Sequence, residues 1–266
     1  MLTSMPLRLP PAVPLELELR RFRISTAASE EELREVYALR ADIFGKELGC
    51  PTATPDYDYD EYDEICDQVM FRDIDSGTLI GCTRFNLSRD SDRFYTDSEF
   101  DVAAFAQLPG DKVEMGRTCL HREWRNNLAI AAIGIAVSGY SAAAKAPWVF
   151  GCCTIPMTDP EEVAKLTSFL HADGSMLENL DVPVREDCVL PAYVEARERI
   201  KRDMPEAPAE WGRLMPPLLR GYLRAGAKLG AEPAWDPHFE CFDYFTVLDM
   251  RESQGAFTRR YMPDSA

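Results

Sequence analysis

Residues 128–146 form a run of small and apolar residues long enough for about five helical turns, with β-like runs at 113–120 before it and 148–154 after it. A strand, helix, strand sequence of this kind commits the chain to layers, with a helix covering a sheet. The run also carries Ser138, Tyr140, Ser141 and Lys145, which suits a buried helix over 127–146 better than a membrane span.

The flanking segments fill out the layers. Leu15, Leu17 and Leu19 alternate with Glu16 and Glu18, and the period of two continues through Phe22 and Ile24, which predicts one half-buried strand. Ser29 followed by Glu32 is a capping-box pattern, and Leu33, Val36, Tyr37, Arg40 and Phe44 then recur at helical spacing, predicting a helix over 30–44. Runs at 68–74 and 78–87, joined by Asp75-Ser76-Gly77, read as a hairpin. A third strand begins near 111, after a short helix within 99–108. A helix over 159–171 starts at an Asp-Pro pair, and Pro217 and Gly230 bracket another over 217–229. Between these two, residues 180–215 are broken by prolines around a charged, helix-like stretch at 192–202, and 242–248 is the last strand. The order predicts an α/β or α+β fold with a mixed, largely antiparallel sheet. One domain is expected over 15–250, between a proline-rich lead at 1–14 and a tail at 251–266.

Charge and cysteine usage exclude several classes of function. With 266 residues and a net charge of −16, the chain has no global field to attract nucleic acid or anionic lipid. The eight cysteines are scattered through apolar runs without a C-x-x-C pair, as small core residues of a reduced compartment would be. His121, His171 and His238 stand far apart and off ligand spacing, so no metal is expected. The lead has no continuous apolar core of the kind a signal peptide needs, which predicts a cytoplasmic protein. Peripheral membrane contact is the expectation if its product is a lipid.

Glu114-Met115-Gly116-Arg117 brings chemistry to the strand that feeds the long helix: a carboxylate suited to proton abstraction, with a guanidinium three residues on. Three further features accompany it in order. Arg40-Ala-Asp-Ile-Phe44 closes the first helix, Asp60 and Asp63 sit in an acidic loop, and Arg84 lies in the second hairpin strand. The residues alone leave two roles open for the arginines, binding a substrate carboxylate or pairing with the aspartates. For Glu114 and Arg117, a structural ion pair is the alternative to catalysis.

Taken together, these features resemble the acyl-homoserine-lactone synthases and bacterial N-acyl amino acid synthases of GNAT-like fold. Phe94-Tyr-Thr-Asp-Ser-Glu-Phe-Asp101, the stretch 216–227, Asp236-Pro-His-Phe239 and Asp243-Tyr-Phe-Thr-Val-Leu248 extend the likeness to the ornithine N-acyltransferases that make lyso-ornithine lipid. The resemblance spans about residues 20–250. It implies a GNAT-like fold with a mostly antiparallel central sheet flanked by helices. It also implies transfer of a fatty acyl group, often 3-hydroxylated, from acyl carrier protein to the α-amine of an amino acid. Ornithine is the favoured acceptor; lysine, glycine, glutamine or an aromatic amino acid would use the same chemistry, and a homoserine lactone signal is the nearest rival product.

On this reading Glu114 is the base, and Arg117 orients it or holds an acidic group. Asp60 and Asp63 receive a cationic amino acid, and Arg40 and Arg84 its carboxylate. The backbone around Gly116 supplies an oxyanion site. Arg122 and Arg125, at the start of the long helix, meet the phosphopantetheine phosphate of the donor, with Arg220, Arg224 and Lys228 as a second basic stripe. No glycine-rich pyrophosphate loop follows Arg117, which favours carrier protein over acyl-CoA as donor. Cys152-Cys153 lacks a histidine partner for covalent catalysis. A non-catalytic module that binds acyl chains or carrier protein is the alternative from another class.

Overall fold

The computed structural model describes residues 5–252 with the exception of His238, so most of the expected C-terminal tail lies outside the described residues. In chain order the elements are β1 Glu16–Leu19, β2 Phe22–Thr26, α1 Glu30–Arg40, β3 Asp67–Asp73, β4 Leu79–Leu87, α2 Ala103–Ala106, β5 Lys112–Leu120 and α3 Asn127–Ala144. There follow β6 Trp148–Ile155, α4 Pro160–Ala172, α5 Pro191–Asp203, α6 Pro217–Arg224, β7 Lys228–Leu229, β8 Ala234–Asp236 and β9 Cys241–Asp249. Contacts divide the chain into two compact units. Among the described residues the first comprises 5–94, 110–149 and 250–252, and the second 95–109 and 150–249.

In the first unit β1 to β5 lie side by side in sequence order, each antiparallel to the next. The single strand expected over 15–24 is two, because Arg20 takes a left-handed turn at φ 55°. No glycine, proline or asparagine announces that turn. One face of the sheet carries α1, whose Leu33, Val36 and Tyr37 bury against Met70, Cys82 and Cys119. The other carries α3, which approaches closely enough that a Cβ on Gly139 would meet Leu17 at 2.5 Å. Ser29 caps α1 as expected, accepting from the Glu32 amide at 3.2 Å. The helix then loosens into a π-helical turn over Ala41–Glu47 where the sequence predicts it to continue.

The proline-rich lead is bound to this unit along residues 6–14. Buried Asp67 accepts from the amides of Ala12 and Val13, both at 2.9 Å, from Tyr140 Oη at 2.8 Å and from Arg8 Nε at 3.4 Å. Tyr37 Oη donates to the Pro6 carbonyl at 3.1 Å.

In the second unit β9 lies between β6 and β7, with β8 also on β9. Here α4 and α5 bury Val163, Leu166, Leu170, Tyr193 and Ile200 against Phe242 and Tyr244 of β9, so the poorly legible insertion contributes core. The α6 helix stops at Arg224, ahead of Gly226 at φ 95°, and residues 228–229 pair with β9. Lys228 therefore leaves the helical stripe expected with Arg220 and Arg224, and Arg220 Nη2 donates to the Gly212 carbonyl at 3.1 Å. Ala129 to Val137, Phe150 and Leu219 are mostly core of their own units, while Leu218 is exposed. Among the described residues no helix is long and apolar enough to cross a membrane.

Candidate active site

Arg40, the last residue of α1, is fully buried, and what makes that tolerable is a set of carboxylates from the acidic loop. Its Nε donates to Asp58 at 2.9 Å, and its two terminal nitrogens grip Asp63 in bidentate fashion at 2.8 and 3.0 Å. Asp63 also accepts from Gln68 Nε2 at 2.8 Å, from Arg84 Nη1 at 3.2 Å and from the Asp60 amide at 2.9 Å. Burial alone would raise the Asp63 carboxyl; the charges of Arg40 and Arg84 outweigh it and hold the group well below the usual carboxylate range. Arg84 Nη1 reaches Asp60 at 2.5 Å, and Arg117 Nη2 lies 3.4 Å from the other Asp60 oxygen. Three arginines, from α1, β4 and β5, thus interlock with three aspartates of the acidic loop.

Five of the sequence-selected residues, Arg40, Asp60, Asp63, Arg84 and Arg117, therefore come together in one ion-paired cluster. Arg40 and Asp63 are 0% exposed and Arg84 3%, and the two arginines pair with Asp58, Asp60 and Asp63, the second of the two roles the sequence left open. Their ion pairs tie the acidic loop, which carries Asp60, to α1 and β4. Asp60 and Arg117, with side chains 17% and 12% exposed, form the accessible edge. Asp58 and Gln68 went unnoticed in the sequence, since nothing in the acidic run separates Asp58 from its solvated neighbours.

Strand β5 carries Glu114, the carboxylate named from the sequence as base. Cys82 pairs with Cys119 and Arg84 with Gly116, so both Arg117 and Thr118 stand opposite Thr83: a β-bulge. The left-handed residue of the bulge is Arg117, at φ 49°, and not Gly116, to which the sequence assigned the special geometry. A Cβ on Gly116 would meet only Arg84, at 3.5 Å, an ordinary contact. Thr83 Oγ1 lies 2.8 Å from Thr118 Oγ1 across the bulge. Arg117 turns its guanidinium over the Phe44 ring, 5.4 Å from its centre, and towards Asp60.

Glu114 is 5% exposed and directly opposite Asn86 of β4. Burial raises the Tyr62 phenol and the Cys66 thiol, and the Glu114 carboxylate adds to both shifts, which puts all three in one neighbourhood. Tyr62 in turn lies under Arg84 and Arg93, 5.5 and 5.6 Å from its ring centre.

The basic residues named for the donor stand on the surface just ahead of α3. Arg122 is exposed in a short 3-10 turn, and Arg125 donates to Glu47 at 2.6 Å and to the Leu120 carbonyl at 3.0 Å. The first turn of α3 is capped by Asn126, whose side chain accepts from the amides of Leu128 and Ala129.

All eight cysteines are free thiols. Burial and the charge of Asp243 push Cys153 up to about 12, so it stays protonated and is no nucleophile at neutral pH. Among the described residues one group has the atom types to hold a metal: Asp236, Cys241 and Asp243, whose ligand atoms lie within 4.8 Å of one another. The Cys241 thiol donates to Asp243 at 3.5 Å and is raised far above its ordinary value by burial and the adjacent carboxylates.

The profile of the acetyltransferase (GNAT) domain matches residues 39–134, from the end of α1 into α3 and so across the whole charged cluster and the bulge. The solved CoA-dependent acyl-homoserine lactone synthase BjaI, bound to SAM and isopentyl-CoA, superposes with a TM-score of 0.51 at 14% identity, over 87% of this chain and 82% of that one. Along the sequence, L-ornithine N(alpha)-acyltransferase of Rhizobium meliloti (strain 1021) is 27% identical over 255 residues, 90% of this chain and 83% of its own. The protein of the same name from Rhodobacter capsulatus is 25% identical over 269 residues, 94% and 97% of the two chains. The chain is an N-acyltransferase of GNAT fold. An acyl donor is accordingly its co-substrate.

Proposed function

We propose that this chain transfers a long acyl group, often 3-hydroxylated, from acyl carrier protein to the α-amine of ornithine, giving a lyso-ornithine lipid. The likeness over nine-tenths of the chain to enzymes named for that acceptor supports the choice. The observation that carries the chemistry is the position of Glu114, a buried carboxylate three residues from a bulge on β5.

In the reaction Glu114 takes a proton from the α-ammonium group, directly or through one water, and the free amine attacks the thioester carbonyl. Backbone N–H groups of the bulged strand around Gly116, Arg117 and Thr118 stabilise the oxyanion that forms. As the tetrahedral intermediate collapses, the attacking nitrogen gives up its second proton, the carbon–sulfur bond breaks, and the phosphopantetheine thiolate leaves with that proton as the thiol, while Glu114 releases the first proton to solvent. Asp60 and Arg117, at the accessible edge of the ion-pair cluster, meet the acceptor. Arg40, Asp63 and Arg84 hold them in place.

On the donor side, Arg122 and Arg125 receive the phosphopantetheine phosphate ahead of α3. Both carrier protein and coenzyme A present that phosphate, and an acidic protein such as this one needs a local basic patch of this kind to approach an acidic carrier. A lipid product gives the enzyme a reason to work at the membrane surface.

The deciding experiment is mass spectrometry of extracts after incubation with 3-hydroxyacyl carrier protein, or separately acyl-CoA, and an equimolar mixture of amino acids. Acyl-ornithine formed from the carrier protein is the expected product. Another acyl amino acid would replace the acceptor and retain the mechanism, whereas no product from either donor would leave a binding module as the better account.

A further inference from the structure

Two buried amides on the Glu114 face of the sheet are each locked by a partner that can only accept. Asn86 of β4 is 0% exposed, and its Nδ2 donates to the Arg93 carbonyl at 2.7 Å. A carbonyl has no proton to give, so the amide nitrogen must face it and the oxygen must face the other way. Gln68 of β3 is fixed in the same manner, its Nε2 donating to the Asp63 carboxylate at 2.8 Å. Among the described residues neither Asn86 Oδ1 nor Gln68 Oε1 has a hydrogen-bond partner. A buried carbonyl oxygen left unsatisfied is costly, and where one persists it calls for a ligand.

The register shows where these two residues lie. Asn86 is directly opposite Glu114, and Arg84, two residues away on the same face of β4, stands between Gln68 and Gly116. Asn86 and Glu114 thus make one row across the sheet and Gln68, Arg84 and Gly116 the next. Arg84 directs Nη1 to Asp60 and Asp63. What Asn86, Gln68 and Glu114 share is acceptor capacity, the complement of an ammonium group with three N–H donors.

We propose that Asn86 Oδ1 accepts a hydrogen bond from the α-amine of the acceptor amino acid and orients it against Glu114. The proposal rests on the reading of this chain as an enzyme that acylates an amine. Once Glu114 has removed one proton, the amine keeps two N–H bonds, and an oxygen fixed on one side of it aims the lone pair at the thioester. A neutral amide suits the task better than a second acid, because a carboxylate opposite Glu114 would hold the amine in its protonated, unreactive form.

The test is steady-state kinetics of the full chain with Asn86→Leu and Asn86→Asp, reading KM for the amino acid and KM for the acyl donor separately. Asn86→Leu is expected to raise the acceptor KM about tenfold or more, the loss of one hydrogen bond to a charged group, and to leave the donor KM unchanged. Asn86→Asp keeps an oxygen in place and is expected to bind the acceptor at least as tightly. A folded Asn86→Leu protein with unaltered acceptor KM overturns the proposal. If that variant does not fold, a tenfold rise in acceptor KM in Asn86→Asp overturns it instead. Wild-type protein that acylates no amine would remove the parent reading as well, an outcome distinct from wild-type turnover with an indifferent Asn86.

Discussion

The two units bury carboxylates in opposite ways. In the first, Asp63 is clamped by Arg40 and Arg84, whose charges overcome burial and keep it ionised. In the second, Asp243 is almost as deeply buried, yet its hydrogen bonds come from neutral groups, Thr154 Oγ1 at 2.7 Å and the Cys241 thiol, and a second acid, Asp236, stands beside it. Burial therefore dominates, and with the charge of Asp236 it pushes Asp243 from the ordinary 3.8 up to about 6. Depth alone does not decide whether a buried acid stabilises a fold; the sign of its nearest charge does. The first unit gains a rigid, ion-paired support behind β4 and β5, while the second carries an acid whose charge is a liability at neutral pH.

Breaking the clamp gives the largest expected effect on stability. Asp63→Asn leaves Arg40 buried without its bidentate partner and is expected to cost about 3–5 kcal/mol in denaturant unfolding near pH 7. Because the folded-state value of Asp63 is depressed, its contribution is present above the unfolded carboxylate pKa and disappears as pH falls through the folded value. The difference between wild type and variant should accordingly narrow in strong acid.

Asp243→Asn should act in the other direction. A carboxyl raised from 3.8 to about 6 favours the folded state below pH 4, and that advantage is lost as pH rises through about 6. Replacing it with a neutral amide is therefore expected to stabilise by up to about 3 kcal/mol at pH 8 and to do little at pH 4. Thermal unfolding across that range checks it, and destabilisation at pH 8 would erase the contrast between the units.

The smallest effect on stability belongs to the exposed pair Arg125 and Glu47, 2.6 Å apart. Arg125→Ala should cost less than about 1 kcal/mol, since solvent screens the pair. Its KM for the acyl donor should nonetheless rise severalfold, and do so less at high salt, if the guanidinium meets a phosphate. An unchanged donor KM would confine Arg125 to a surface ion pair.

How much of this was legible in the sequence depended on whether the cause was local. Periodicity and caps located α1, α3, α4 and the β3–β4 hairpin to within a few residues, because a strand's alternation or a Ser29 cap is written in neighbouring positions. The β1–β2 turn escaped because Arg20 adopts a conformation that its side chain does not advertise, and β7 and β8 escaped because pairing with β9, not propensity, makes them strands. In the site, Arg40, Asp60, Asp63, Arg84 and Arg117 were singled out through resemblance, but the burial of Arg40, Asp63 and Arg84 was not legible, because it depends on which loop and strands the fold brings together. Asn86 was within reach of elementary reasoning: two residues from Arg84 on a strand, it had to share that residue's face.

The most direct test of the account is a single-turnover measurement of acyl transfer to ornithine by wild type and Glu114→Gln, with the acyl carrier protein donor saturating. If Glu114 is the base, the variant keeps its thermal stability and donor affinity while the rate of acyl-ornithine formation falls at least about a hundredfold. A folded Glu114→Gln protein that transfers the acyl group at the wild-type rate would contradict the account.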